Sequence, residues 1–184
     1  MKTKLAGLLL IAMSFYWLGR YVIPAAPLHP NEQVSAKVAT LNKVLQDQAD
    51  NDPRVDSELS NLNQKERLDF RAKYRSLPPE ALKNRGLIVY LIGRNIETQG
   101  DLEFMREVLN ERNCLSLKNC TITDQKTLSE PTIAANLAFP KLMAVAALKE
   151  KLHTQPSAKM REAIEDILHS ARDSMNPLVV KAAG

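Results

Sequence analysis

The stretch Leu137-Ala-Phe-Pro-Lys-Leu-Met-Ala-Val-Ala-Ala-Leu-Lys-Glu-Lys-Leu152 decides the fold, because it predicts one strongly apolar helix. Pro140 falls in the first turn of that helix, a position that proline tolerates. A helix that is apolar on most of its faces has to be buried among other helices. The stretch therefore predicts an all-α domain in which this helix belongs to the core.

Amphipathic helices are predicted on both sides of this stretch. Upstream, apolar residues recur at helical spacing in two segments: Val34, Val38, Leu41 and Leu45, then Leu102, Phe104, Met105, Val108 and Leu109. Downstream, a helix starting at Pro156-Ser157 has the apolar face Met160, Ile164, Ile167, Leu168 and Ala171. Between residues 55 and 77, Asn63 followed by Glu66 indicates a fresh helix start that divides the segment into two pieces.

Residues 86–93 are apolar almost throughout and fit either a buried strand or a buried helix. The preceding Glu80-Ala-Leu-Lys and the lack of any partner strand favour the helix. Three prolines near helix starts then indicate an internal repeat. The segments at Pro79, Pro140 and Pro177 match when Gly86, Ala144 and Ala182 are superposed, at offsets of 58 and 38 residues.

The segment Asn176-Pro177-Leu178-Val179-Val180-Lys181-Ala182-Ala183 is similar to the helix opening of HEAT-like repeats, with a polar residue and proline, then aliphatic, basic and small residues. The 38-residue offset is close to the roughly 40–47 residues of a HEAT or armadillo unit. The resemblance covers about residues 79–184. It implies a small right-handed stack of antiparallel helix pairs whose inner face binds proteins or peptides. Small residues such as Gly86 and Ala144 would let the helices approach closely. The alternative is a non-repetitive helical bundle.

The first 23 residues are predicted to form an export or membrane segment. Lys2 and Lys4 precede an apolar run from Leu5 to Gly19, and no acidic residue occurs before Glu32. A secretory signal combines such a basic start with an apolar stretch of roughly 7–15 residues. Extended to Ile23, the segment instead approaches the roughly 20 residues that span a bilayer as an uncleaved anchor.

Both alternatives export the rest of the chain, because Lys2 and Lys4 hold the N-terminus on the cytoplasmic side. The anchor predicts a single-pass protein of a bacterial inner membrane, with residues 1–23 in the lipid bilayer and the C-terminal domain in the periplasm. Cleavage predicts a soluble periplasmic or secreted protein. In both cases residues 24–30 form a proline-rich spacer, and residues 31–184 form a single helical domain.

The chain has two cysteines, Cys114 and Cys120. In an oxidising compartment a close pair of this kind usually forms a disulfide, which would restrict the unfolded chain by roughly 2–3 kcal/mol. Their spacing does not match a zinc site, and no second Cys or His pair completes four ligands. Residues 113–131 are therefore predicted to be a long polar loop held by the disulfide, and we expect this loop to contact a partner.

The charge balance argues against nucleic-acid binding. The chain carries 25 basic residues, three of them before residue 24, which leaves 22 against 21 acidic residues. A nearly neutral domain lacks the positive surface that attracts phosphate backbones.

No catalytic, cofactor-binding or metal site is predicted. The three histidines, His29, His153 and His169, do not form a His-Glu-x-x-His run. Glu162, Glu165 and Asp166 share a helix face with Lys159 and Arg161, so ion pairing accounts for them.

The predicted protein is therefore a non-enzymatic, membrane-tethered periplasmic helical-repeat module that binds another envelope protein or peptide. Two alternatives stay open. One is an assembly subunit whose apolar edge at 179–183 packs against another copy. The other is an envelope hydrolase that uses Glu162, Glu165 or His169.

Overall fold

A computed structural model of the chain describes residues 35–47, 51–114, 120, 131–174 and 176–184. These residues form eight helices and no strand, which confirms the predicted all-α class. They belong to one compact unit, Val34–Gly184. The predicted signal or anchor at 1–23 and the spacer at 24–30 lie outside the described residues.

In chain order the helices are α1 (Ala36–Asp47), α2 (Arg54–Ser57), α3 (Gln64–Ser76), α4 (Leu82–Gly93), α5 (Gln99–Asn110), α6 (Pro131–His153), α7 (Ala158–Ala171) and α8 (Pro177–Ala183). Side-chain caps define several of their starts. Asn63 accepts a hydrogen bond from the Glu66 N–H while Glu66 caps in return, so the predicted division between α2 and α3 is confirmed. Ser157 and Asn176 accept hydrogen bonds from the first turns of α7 and α8.

Helix α4 contains the apolar residues 86–93, so the helix favoured over a strand for this segment is confirmed. Ile88, Val89, Leu91 and Ile92 are all 0% exposed. With side chains buried on most of its circumference, α4 shows no clear period in its sequence. This is the physical reason why periodicity alone left its secondary structure ambiguous.

Helices α4 and α6 approach each other closely at two glycines. A Cβ placed on Gly86 would clash with the Phe139 ring, and a Cβ placed on Gly93 would lie 2.5 Å from the Cβ of Ala147. The close approach predicted at Gly86 is therefore present. Gly86 meets Phe139, and the later Gly93 meets the later Ala147. Because residue numbers rise together along the two helices, α4 and α6 run parallel.

Helix α6 begins at Pro131, so the prediction that Pro140 lies in its first turn is wrong. Pro140 is an interior residue. The helix extends upstream because Ala134, Leu137 and Ala138 are buried against the rest of the chain. That packing compensates for the backbone hydrogen bond that a proline cannot donate.

By length and composition, Thr132–His153 could also cross a membrane. In this structure α6 is instead the central core helix, in contact with α4, α5, α7 and α8. Among the described helices, every extensive contact joins a helix to the next one or to the one after that. Helices α4, α6 and α8 therefore lie side by side, with α5 and α7 packed across them.

Helix α3 is joined to α5 by buried ion pairs. The Asp101 carboxylate is 0% exposed and faces two guanidinium groups, with Arg67 Nε 3.2 Å from its Oδ1 and Arg71 Nη2 also on that oxygen. Burial alone would raise the pKa of Asp101, but the N–H groups of Glu97 and Thr98, the Thr98 hydroxyl and the Arg71 charge lower it overall. The carboxylate thus stays ionised and links α3 to the first turn of α5.

Candidate functional site

An open cleft of about 380 Å³ lies where α1, α2, α4 and α6 meet. Apolar side chains form most of its wall, and polar side chains form the rest. The lining residues are Val44, Asn51, Asp52, Pro53, Val55, Asp56, Lys83, Asn84, Leu87, Tyr90, Phe139 and Met143. Its size falls within the range of sites that hold a ligand or a partner's side chains.

A second hollow of about 230 Å³ continues from the first along α4 and α6. The two share Tyr90 and Met143 as lining residues. The second hollow is lined by the small residues Gly93, Ala146 and Ala147 and by the charged residues Arg94 and Glu150. We refer to the two hollows together as the α4–α6 groove. The groove follows two parallel helices and is open to solvent.

Tyr90 lies at the junction of the two hollows and is 37% exposed, one of two exposed large hydrophobic residues among the described part of the chain. Its position is defined by Arg94, whose Nη1 donates to the Tyr90 hydroxyl at 3.1 Å and to Asp56 Oδ1 at 2.6 Å. The Arg94 guanidinium carbon lies 5.4 Å from the centre of the Tyr90 ring. Hydrogen bonding to Asp56 also raises the pKa of Arg94. An aromatic side chain is thus held in place at the surface without being buried.

The opposite side of the helix layers has a different character. The outward residues of α5 and α7 are mostly charged, and Arg106 pairs with Asp166 at 2.8 Å. Glu103, Glu162 and Glu165 are exposed there. Among the described residues, the two exposed large hydrophobic side chains are Tyr90 in the groove and Leu68 on α3, which is 52% exposed.

The cysteines form a disulfide, with their Sγ atoms 2.02 Å apart, in agreement with the predicted pairing. The bridge lies in a small apolar cluster with Leu82 from α4 and with Ile133 and Leu137 from α6. The Cys120 N–H donates to Glu80 Oε1 at 3.0 Å, and this bond lowers the pKa of the Glu80 carboxyl. The disulfide thereby contacts the starts of both helices that line the groove.

A polar cluster supports the segment between α5 and the disulfide. Buried Lys141 donates from Nζ to the Glu111 carbonyl oxygen at 2.6 Å and to Asn113 Oδ1 at 2.7 Å. Burial lowers the pKa of Lys141, and Glu111 opposes that effect. The Glu111 carboxylate in turn accepts from Arg85 at 2.6 Å and from the Tyr74 hydroxyl at 3.0 Å. These bonds attach the end of α5 to α3, α4 and α6 independently of the disulfide.

Four of the residues considered for chemistry in the sequence, Glu162, Glu165, Asp166 and His169, follow one another at helical spacing along α7, and none of them lines the groove. His153, His169, Glu162, Glu165 and Asp166 are all exposed. His29 lies outside the described residues, as do 115–119 and 121–130 of the predicted contact loop. Within the described ranges, no group of three or more His, Cys, Asp or Glu side chains is placed to hold a metal ion.

The apolar edge predicted at 179–183 is covered in part by the chain itself. Val179 and Ala183 are 0% and 2% exposed because α8 packs on α6 and α7, while Leu178, Val180 and Ala182 stay partly exposed.

The groove was not predicted from the sequence. The sequence gives one sign of the groove: Leu87 and Tyr90 make α4 apolar on more of its circumference than a single buried face requires.

No family model, no curated protein and no solved structure matches this chain. The groove, the residues that orient Tyr90 and the disulfide beneath the helix starts are therefore the features from which a function can be inferred.

Proposed function

We propose that this protein is a non-enzymatic, membrane-tethered module of the bacterial periplasm that binds another envelope protein or peptide in the α4–α6 groove. The observation that carries the proposal is the groove itself: two joined apolar hollows with an ordered, half-exposed tyrosine between them. Interfaces are enriched in tyrosine and methionine, and their binding energy is concentrated in a few such residues.

The architecture that we propose for the module is a HEAT-like stack of helix pairs. The three segments superposed at Gly86, Ala144 and Ala182 lie in α4, α6 and α8, which are neighbours in space. Contacts between near neighbours in the chain and the parallel course of α4 and α6 support a stack in which α4–α5 and α6–α7 are successive pairs and α8 is a single last helix. The groove then lies on the layer formed by the first helix of each pair.

The proposed location has two supports. The first is the N-terminal segment, which has the basic start and apolar run of an export signal or anchor. The second is the Cys114–Cys120 disulfide, because such bonds persist in oxidising compartments. An uncleaved anchor would keep the groove near the outer surface of the inner membrane, where it would meet other membrane and periplasmic proteins.

A protein or peptide fits this groove better than a small substrate. The groove is open and follows about three turns of each helix, from Lys83 to Arg94 and from Phe139 to Glu150. An elongated apolar segment with side chains at regular spacing can fill both hollows at once. The α7 acids and His169 lie on the exposed surface of α7, outside the groove lining, and Asp166 pairs with Arg106 there.

Site-specific photocrosslinking in cells tests this proposal. A photoreactive residue would replace Tyr90 or Ala146 in the groove, and Leu68 on α3 would serve as the control, since it is also apolar and exposed. We expect discrete adducts from the two groove positions, identified by mass spectrometry, and none of these adducts from position 68. Met143→Glu, which places a charge between the hollows, should then weaken binding of the identified partner at least ~10-fold.

Two results would reject the proposal. One is equal crosslinking from all three positions, which would indicate random encounters. The other is a partner whose affinity is unchanged by Met143→Glu while circular dichroism shows a folded variant. Adducts whose mass corresponds to a second copy of the chain would support the assembly subunit instead.

A further inference from the structure

We infer that the Cys114–Cys120 disulfide controls the shape of the α4–α6 groove, and that its reduction by a dithiol loosens the first turns of α4 and α6. The structural part of this inference stands alone. Its consequence for partner binding rests on the proposed function.

The disulfide stabilises the start of α4, which has no other strong cap. The N-cap residue of α4 is Ala81, whose side chain makes no capping hydrogen bond. Alanine is among the poorest residues at this position. Two contacts with the disulfide segment act there instead: Leu82 packs in the cluster around Cys114, and Glu80 accepts from the Cys120 N–H at 3.0 Å.

The disulfide also stabilises the start of α6. Ile133 and Leu137 pack in the same cluster, and the cluster is separate from the main core. Downstream of them lies Pro140, which donates no backbone hydrogen bond to the preceding turn. The segment Pro131–Phe139 is thus coupled to the rest of α6 by fewer backbone hydrogen bonds than an uninterrupted helix would have. It is the part of α6 expected to open first when its packing weakens.

The starts of α4 and α6 lead directly into the first hollow of the groove, the one of about 380 Å³. Lys83 and Asn84 line that hollow directly after Leu82, and Phe139 lines it two residues after Leu137. The Phe139 ring also fills the space in front of Gly86, so it links the two helices at this end. Loss of the apolar cluster around the disulfide would therefore change the walls of the first hollow before it affects the second hollow at Gly93, Ala146 and Ala147.

The change should be local because the hydrogen bonds of Glu111 and Lys141, next to the disulfide, do not involve the cysteines. Arg85 pairs with Glu111 at 2.6 Å, and Lys141 donates to the Glu111 carbonyl. These bonds keep the end of α5 attached when the bridge opens. The groove would then be reshaped at one end while the fold persists.

The chemistry is thiol–disulfide exchange. Cys120 is the more accessible half-cystine, since Cys114 is only 7% exposed. A thiolate of the dithiol attacks the Cys120 sulfur, the S–S bond breaks, and Cys114 leaves as a thiolate that takes up a proton. The second thiol of the reductant then displaces Cys120. Two electrons and two protons end on the two cysteines, and the reductant leaves as its own disulfide.

Hydrogen–deuterium exchange of the full chain in detergent, with and without dithiothreitol, tests the inference. We expect amide exchange to rise at least ~10-fold in residues 85–88 and 135–139 on reduction, because these are the first amides protected by helix hydrogen bonds, with little change in α3 and α7. The double substitution Cys114→Ser with Cys120→Ser should show the raised exchange without reductant and no further response to it. Glu80→Ala keeps the disulfide and should raise exchange in residues 85–88 only.

Exchange that rises only in residues 112–122, or equally throughout α3 and α7, would overturn the inference. If the double variant fails to fold, the reduced wild-type protein and Glu80→Ala still decide it. The outcome is independent of any partner, so a failed crosslinking experiment would reject the proposed function and leave the exchange result intact. If dithiothreitol lowers crosslinking from position 90 and leaves crosslinking from position 68 unchanged, reduction of the disulfide also weakens binding of the partner.

Discussion

Replacing Gly93 by alanine should destabilise the protein, although alanine is the better helix former. Gly93 is the last residue of α4 and faces Ala147 of α6. The added Cβ would lie 2.5 Å from the Ala147 Cβ, whereas ordinary contacts of this kind are 3.4–4 Å. The Ala147 Cβ has no rotamer to change, because it is fixed to its backbone. The two helices would therefore have to separate locally by about 1 Å.

The net effect follows from two opposing contributions. The helix propensity of alanine stabilises by up to about 1 kcal/mol relative to glycine. Overpacking a close helix contact costs roughly 1–3 kcal/mol, and the upper end applies where neither side chain can move. We expect a net loss of about 1–2 kcal/mol in the free energy of unfolding. For a domain of this size, that loss lowers Tm by roughly 2–8 °C.

A double-mutant cycle measured by urea denaturation isolates the contact. Ala147→Gly alone should cost about 1 kcal/mol through helix propensity. Combined with Gly93→Ala it should restore most of the lost stability, because the second Cβ is gone, giving a coupling energy of about 2–3 kcal/mol. A single Gly93→Ala variant more stable than the wild type, or a cycle that is additive within about 0.3 kcal/mol, would refute the close parallel packing of α4 and α6.

Three further predictions concern single sites. Gln155 follows α6 with φ 53°, a left-handed conformation that favours glycine, so Gln155→Gly should raise the free energy of unfolding in urea by about 0.5–1 kcal/mol, whereas Gln155→Ala should not. Asp101→Asn removes the carboxylate that pairs with buried Arg71 and leaves buried Arg67 with Glu97 alone, so it should cost about 3 kcal/mol by the same measurement, with Asp69→Asn on the surface of α3 as a near-neutral control. Because the folded-state pKa of Asp101 is below its ordinary value of 3.8, its contribution is complete above that pH and is lost as the pH falls through the folded-state value. Acid titration followed by circular dichroism should show the wild type losing stability below about pH 4, and Asp101→Asn should lose less over that range.

Most helix starts could be predicted because their signals are local. The Asn63–Glu66 capping box and the Ser157 cap involve residues three positions apart, and the apolar face of α7 recurs within a few turns. The cysteines, six positions apart, pair as their spacing predicts. Each of these features depends on contacts that the chain makes within a short segment, so the order of residues is sufficient to indicate them.

The groove could not be predicted in this way, because it exists only where distant helices meet. Val44, Tyr90 and Met143 share a wall because of how α1, α4 and α6 pack, and no spacing in the chain encodes that. The upstream extension of α6 past Pro140 has a similar cause, since burial of Ala134 and Leu137 outweighs the local penalty of a proline. The sequence by itself thus determined the helices, their caps and the disulfide. The tertiary structure decided which apolar residues are buried and which are left open as a surface, because burial depends on neighbours that are far away in the chain.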